Sequence, residues 1–226
     1  AGDWSSDVCS SDLEMIWWHE AQFALWNRSN LLDRTLGWYE KAEPIARQIA
    51  QRQGFDGVRW MKMTDPSGTE APSKVGSFLI WQQPHLIYLA ELLYRADPTK
   101  EVLEKYNRLV QETAEFMYSF ATYDELEGRY VLKGAIPAQE TLRAAETVNP
   151  PFELSYWHFA MQTAQQWRER MGQQRSLEWD EMIDKLSPLA SNKEGLYLAA
   201  ETATDTYKDI RYTSDHMAVL GAVGIL

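Results

Sequence analysis

Between Thr99 and Phe120, apolar residues recur at Val102, Leu103, Tyr106, Leu109, Val110, Phe116, Met117 and Phe120, with Lys105, Arg108, Glu112 and Glu115 set between them. Steps of three and four gather apolar side chains on one stripe of an α-helix, whereas a strand would divide them between two faces. Asp97-Pro98-Thr99 supplies a helix start, and Tyr123-Asp124-Glu125 with Gly128 a turn after its end. The same period predicts helices over Glu14 to Trp26, Leu31 to Gln53, His85 to Ala96, Phe152 to Met171 and Leu177 to Leu186. Pro44 kinks or splits the second of these, because proline lacks the amide that the helix needs. Strand material is confined to Arg129 to Lys133 and Gly195 to Ala199. Helices joined in pairs by short loops, without a fixed repeat length, predict an all-α fold: a curved array of helical hairpins closing as a toroid. A plain bundle or an irregular solenoid is the alternative.

The ends of the chain bear on how much of it is read this way. Asp3 to Leu13, DWSSDVCSSDL, matches the translation of a common sequencing-library adapter, so residues 1–13 are set aside as an artefactual or disordered tail. Removing Asp3, Asp7 and Asp12 takes the formal charge from −11 to −8. Cys9, the sole cysteine, goes with them, leaving no disulfide framework and no thiolate metal site. A chain that stays acidic argues against a nucleic-acid partner. No apolar run approaches the roughly 20 residues of a membrane span. Residues 14–226 end within an apolar stretch, Ala218 to Leu226, without a closing cap, and the expectation is one domain truncated at both ends. Localisation stays open, the periplasm and the exterior both being compatible, and so does the oligomeric state.

Five short segments at the edges of helices concentrate Trp, His, Gln and Glu: Trp17-Trp18-His19-Glu20, Arg59-Trp60-Met61-Lys62, Trp81-Gln82-Gln83-Pro84-His85, Pro137-Ala138-Gln139-Glu140 and Asn149-Pro150-Pro151-Phe152-Glu153. Indoles beside amides and carboxylates suit a ligand with apolar faces and many hydroxyls, which describes an oligosaccharide or polysaccharide. Glycoside cleavage needs a carboxylic acid that protonates the leaving oxygen and a second group across the bond. Glu140, flanked by Ile136, Pro137 and Ala138, is the candidate acid, since apolar surroundings raise a carboxyl pKa; the alternative is a local ion pair with Arg143. Trp17, Trp18, His19, Arg59, Trp60, Lys62, Gln82, Gln83, His85, Gln139, Asn149 and Glu153 are the candidate substrate-binding set. For each a plainer role competes. The tryptophans are core residues or stacking platforms. Arg59 and Lys62 meet a substrate anion or neutralise Asp65 and Glu70. Asn149 and Glu153 cap a helix or shape the pocket. No His-Glu-x-x-His pattern, phosphate loop or nucleophile elbow occurs, and neither a metal nor a cofactor is expected.

From Glu14 to Leu226 the chain resembles the catalytic domain of the six-hairpin glycosidases, in particular proteins related to glycoside hydrolase family 65. The resemblance rests on three segments in shared order. Trp17-Trp18-His19 stands for the family's Phe-Trp-Asp, Gly57-Val58-Arg59-Trp60-Met61-Lys62 for Gly-Ala-Arg-Phe-Pro-Trp, and Ile136-Pro137-Ala138-Gln139-Glu140 for Gly-Pro-Asp-Glu. It implies an (α/α)6 barrel, here incomplete, in an inverting glycoside hydrolase or a phosphorylase, with Glu140 as general acid. A non-catalytic carbohydrate-binding toroid is the further alternative. His19 replaces the family's sugar-binding Asp, and Met61-Lys62 its Pro-Trp, so specificity for α-glucose does not follow. The general base or phosphate site is implied near the late helices. Asp215, in Thr213-Ser214-Asp215-His216, is the last candidate for it and is equally an ordinary helix cap. The chain alone is expected to be inactive.

Overall fold

The computed structural model describes residues 13, 15–73, 75–138, 141–213 and 218–224. Eight helices, one of them preceded by a 3-10 turn, and one two-stranded hairpin make up its regular elements. They are α1 (Ile16–Leu25), α2 (Ser29–Gln53), α3 (His85–Ala96), α4 (Lys100–Phe120), β1 (Thr122–Asp124), β2 (Arg129–Val131), α5 (Pro151–Arg170), α6 (Leu177–Lys185), α7 (Ile210–Thr213), the 3-10 turn Ala218–Leu220 and α8 (Gly221–Gly224). Among the described residues no helix is long and apolar enough to cross a membrane.

The helices begin and end where side-chain chemistry directs. Thr99 takes the Val102 amide and Ser176 the Trp179 amide, each filling a helix start that lacks a backbone partner. Gly54, at φ 83, closes α2 in the left-handed conformation that glycine adopts without a Cβ clash. Pro151 opens α5, where its missing amide costs nothing. Pro44 lies inside α2 and does not split it; its ring is exposed while Ala42, Glu43 and Ala46 beside it are buried.

α3 sits at the centre, packed against α1, α2, α4 and α5, and α4 lies along α5. One core joins these helices through Leu36, Tyr39, Trp60, Leu89, Tyr106, Phe116, Trp157 and Trp167. Full burial of each such side chain stabilises the fold by about 1.5–3 kcal/mol before entropy is counted. Leu13, the last residue of the segment set aside above, is buried in the same core. A polar rivet adds to it: Glu91 on α3, buried, accepts bonds from Arg95 at 2.9 Å, from Arg170 at 2.6 and 3.2 Å, and from the Trp167 indole at 3.0 Å. Burial alone would raise the Glu91 pKa, but the donors from Arg170, Arg95 and Trp167 outweigh it and hold it below the usual range.

Two expectations need correction. Gly195 to Ala199 is no strand: the Asn192 carboxamide accepts the Glu194 and Leu196 amides in a tight turn, and a single bridge, Ser191 with Tyr197, is all the pairing present. Tyr123 and Asp124 fall in β1 rather than in the turn, their register with β2 being Tyr123 to Tyr130 and Asp124 to Arg129.

Candidate functional site

The two ends of the segment between β2 and α5 are braced separately. At its start, Ile136 donates its amide to the Phe78 carbonyl at 2.9 Å, and Ala138 donates to Glu153 Oε1 at 2.6 Å. At its end, Asn149, in a left-handed conformation at φ 53, exchanges two bonds with Leu132: its amide to the Leu132 carbonyl at 2.8 Å and the Leu132 amide to its Oδ1 at 2.9 Å. Its Nδ2 reaches Glu201 Oε2 at 2.7 Å, and Glu201 is gripped by both terminal nitrogens of Arg129 at 2.7 and 2.9 Å. Gln139 and Glu140 lie between these braces in sequence and outside the described residues, as do Asp215 and His216.

Glu153 is fully buried on the first turn of α5, and its partner Ala138 belongs to an apolar cluster with Leu79, Trp81, Ile136, Phe152 and Tyr156. Burial pushes its carboxyl up to about 7, against the opposing pull of the Ala138 amide and its own. Its Oε2 has no partner among the described residues. A carboxyl without a compensating cation in apolar surroundings takes up a proton rather than carry charge.

An aromatic wall leads from this cluster to the surface. Phe152 stacks on Tyr156 with centroids 5.7 Å apart, Tyr156 meets Tyr88 at 6.1 Å, Tyr88 meets Trp17 at 5.6 Å, and Trp17 meets Trp18 edge-on at 4.9 Å. Trp18, at 50% exposure, is the open end. Trp17, Trp18, His19 and Glu20 lie inside α1 rather than in a loop, with Trp17 half-buried, His19 exposed and Glu20 buried. Tyr88 also touches Phe159 at 5.5 Å, and Phe159 lines a groove of about 540 Å³ between α5 and residues 183–189, where Ser155, His158, Gln162 and Asp184 supply polar groups.

Most of the other candidate residues are framework. Gln83 accepts the Trp60 amide at 2.8 Å and donates to the Val58 carbonyl at 2.7 Å, so one carboxamide does for this segment what a neighbouring strand would. Gln82 donates to the carbonyls of Trp60 and Leu79. Trp60 is buried with its indole on Thr113 at 2.9 Å. Arg59 is buried over the Phe116 ring at 5.0 Å, donating to the carbonyls of Ser77 and Leu79; burial depresses its pKa to about 10, with Glu70 pulling the other way. His85 shares a 2.8 Å bond with the Tyr156 hydroxyl. Lys62 is half-buried. Gly57, at φ 67, passes so near α4 that a Cβ would collide with the Glu112 carbonyl and the Phe116 amide, which accounts for the glycine at the head of this motif. Arg143 pairs with Glu146 at 3.6 Å.

Sequence reasoning passed over Tyr88, Tyr156, Phe159, Glu201 and Arg129. One signal was available: Phe152, Tyr156 and Phe159 fall at i, i+4 and i+7, an apolar stripe beside the one that buries Trp157, Ala160, Ala164 and Trp167. Nothing in the sequence pairs Glu201 with Arg129, 72 positions apart.

Helices packed around a central helix, with one small two-stranded hairpin, are consistent with part of a helical toroid. Neither a known sequence family nor a curated protein matches the chain. Among solved structures, a protein described as a kojibiose phosphorylase from the human microbiome superimposes with a TM-score of 0.65 at 12% identity, over 76% of this chain. The chain spans only 28% of that protein's length. At such identity the likeness is one of fold.

Proposed function

We propose that this chain forms part of the catalytic domain of a carbohydrate-active enzyme that cleaves glycosidic bonds, with Glu140 as general acid. The observation that carries the reading is the aromatic wall running from the exposed Trp18 to the cluster that holds Ala138, two residues before Glu140. Exposed indoles match the C–H faces of sugar rings, and a carboxylic acid is the group glycoside chemistry requires. In an inverting hydrolase Glu140 protonates the leaving oxygen while a second carboxylate directs water to the opposite face. Among the earlier candidates, Trp17, Trp18, His19 and Gln139 are assigned to the substrate, and Asn149 and Glu153 to holding the loop. The fold neighbour's description favours a second reading, in which inorganic phosphate replaces water and a sugar phosphate is released.

The test uses the intact gene product, a panel of aryl glycosides with and without phosphate, and NMR of the released sugar. Glu140→Gln is expected to retain sugar affinity while losing at least about 100-fold in turnover, the lower range for a general acid. Phosphate-dependent release of a sugar phosphate selects the phosphorylase, and an inverted free sugar selects the hydrolase. Unchanged turnover in Glu140→Gln removes Glu140 from the mechanism.

A further inference from the structure

A fully buried carboxyl bonded to a member of the apolar cluster of Leu79, Trp81, Ile136, Ala138, Phe152 and Tyr156 is costly, and leucine, of similar volume, would avoid that cost. What the carboxyl supplies and leucine cannot is an acceptor, and the acceptor is used: Oε1 takes the Ala138 amide at 2.6 Å. Among the described residues Glu153 is the acceptor of the buried Ala138 amide, whereas Ile136, two positions earlier, pairs with the backbone of Phe78. The bond spans 15 positions and ties the segment to α5, whose first turn Pro150 and Pro151 stiffen.

We infer that Glu153 is a positioning residue for the candidate acid: it fixes the backbone at Ala138, two positions before Glu140. The inference rests on the reading of Glu140 as the acid. Glu153 touches no substrate in this account. Removing its acceptor leaves the sugar platform at Trp18 intact and frees only the stretch that leads into position 140.

Two variants test it. Glu153→Leu preserves volume and removes the acceptor; Glu153→Gln keeps a carbonyl oxygen for the Ala138 amide. In this chain, hydrogen exchange at Ala138 is expected to accelerate at least about tenfold in Glu153→Leu, the loss of one strong hydrogen bond, and to return close to wild type in Glu153→Gln. If Glu153→Leu does not fold, Glu153→Asp, whose carboxylate is withdrawn by one methylene, takes its place. In the intact gene product Glu153→Leu lowers kcat with little change in KM, and Glu153→Gln recovers most of the loss. The defect shrinks on a dinitrophenyl glycoside, whose leaving group needs no proton, as it does for a lost acid and does not for a damaged fold. Unchanged exchange at Ala138, or equal losses on both leaving groups, overturns the inference. If Glu140→Gln proves fully active while Glu153→Leu still frees Ala138, the anchor stands and the reading of Glu140 is what has failed.

Discussion

Glu91 and Glu153 are both buried carboxyls on helices, and their surroundings separate them. Glu91 lies between α3 and α5 with two arginines and an indole directed at it, so burial is more than offset and its pKa falls. Glu153 lies by the segment leading to position 140 with a backbone amide as its partner and no cation among the described residues, so burial wins and its pKa rises to about 7. The first arrangement is a closed network whose polar atoms are saturated, the design of a scaffold. The second leaves an oxygen unpartnered and spends stability to hold one stretch of backbone in place, a pattern typical of functional regions. The molecule thus holds Glu91 with four donors where two helices meet, and Glu153 with one amide and an unpartnered oxygen beside the segment that leads to position 140.

Breaking the scaffold member has the largest effect. Glu91→Ala leaves the Arg170 guanidinium and the Trp167 indole without their acceptor inside the α3–α5 interface, and a stability loss of about 4 kcal/mol is expected. In a domain of this size that lowers Tm by roughly 10 °C, measurable by calorimetry. The pH dependence has a definite sign. The folded pKa is depressed, so the contribution of Glu91 is present above the unfolded value of about 4.5 and is lost as pH falls below it. Mutant and wild type should thus draw together in acid, and a gap that persists there contradicts the ion-pair account.

Glu153→Gln should go the other way. With the folded pKa near 7 and the unfolded value near 4.5, the folded chain holds the extra proton between them, so wild-type stability falls as pH rises through that window. The full difference corresponds to about 3 kcal/mol, and the glutamine variant escapes it. Melting curves at about pH 4 and about pH 8 should show little separation at the first and a more stable variant at the second. A glutamine variant less stable at the higher pH would mean that Glu153 has an unseen cation partner, and the contrast with Glu91 would disappear.

How far this contrast was legible beforehand differs between its two sides. The helices were, because the residues buried on α4, among them Leu103, Tyr106, Leu109, Val110, Phe116 and Met117, repeat with the helical period. The locations of Glu153 and Asn149 at the foot of a helix were legible too, from Asn-Pro-Pro. Their partners were not. Ala138 and Leu132 reach them by the return path of a long connection, and no local pattern encodes which backbone amide a buried carboxyl will find. Gln82 and Gln83 show the same limit: amides suited to sugar hydroxyls suit backbone groups equally, and here both are buried and bond to backbone.

The smallest expected effect on stability belongs to the open end of the wall, and it separates platform from core. Trp60 and Trp18 share a side chain and differ in setting: Trp60 is fully enclosed, with its indole satisfied by Thr113, while Trp18 shows half its surface to solvent and touches Trp17 along one edge. Trp18→Ala removes little buried area, so its stability should stay within about 0.5 kcal/mol of wild type, the ordinary range for a surface change. Its effect on a sugar should be larger than that, since one stacked ring contributes about 1 kcal/mol, a five- to tenfold weaker Kd by titration with an oligosaccharide panel. Loss of stability without loss of affinity would place Trp18 with Trp60 in the scaffold. Loss of affinity alone would mark α1 as the wall from which a saccharide reaches the loop braced by Glu153.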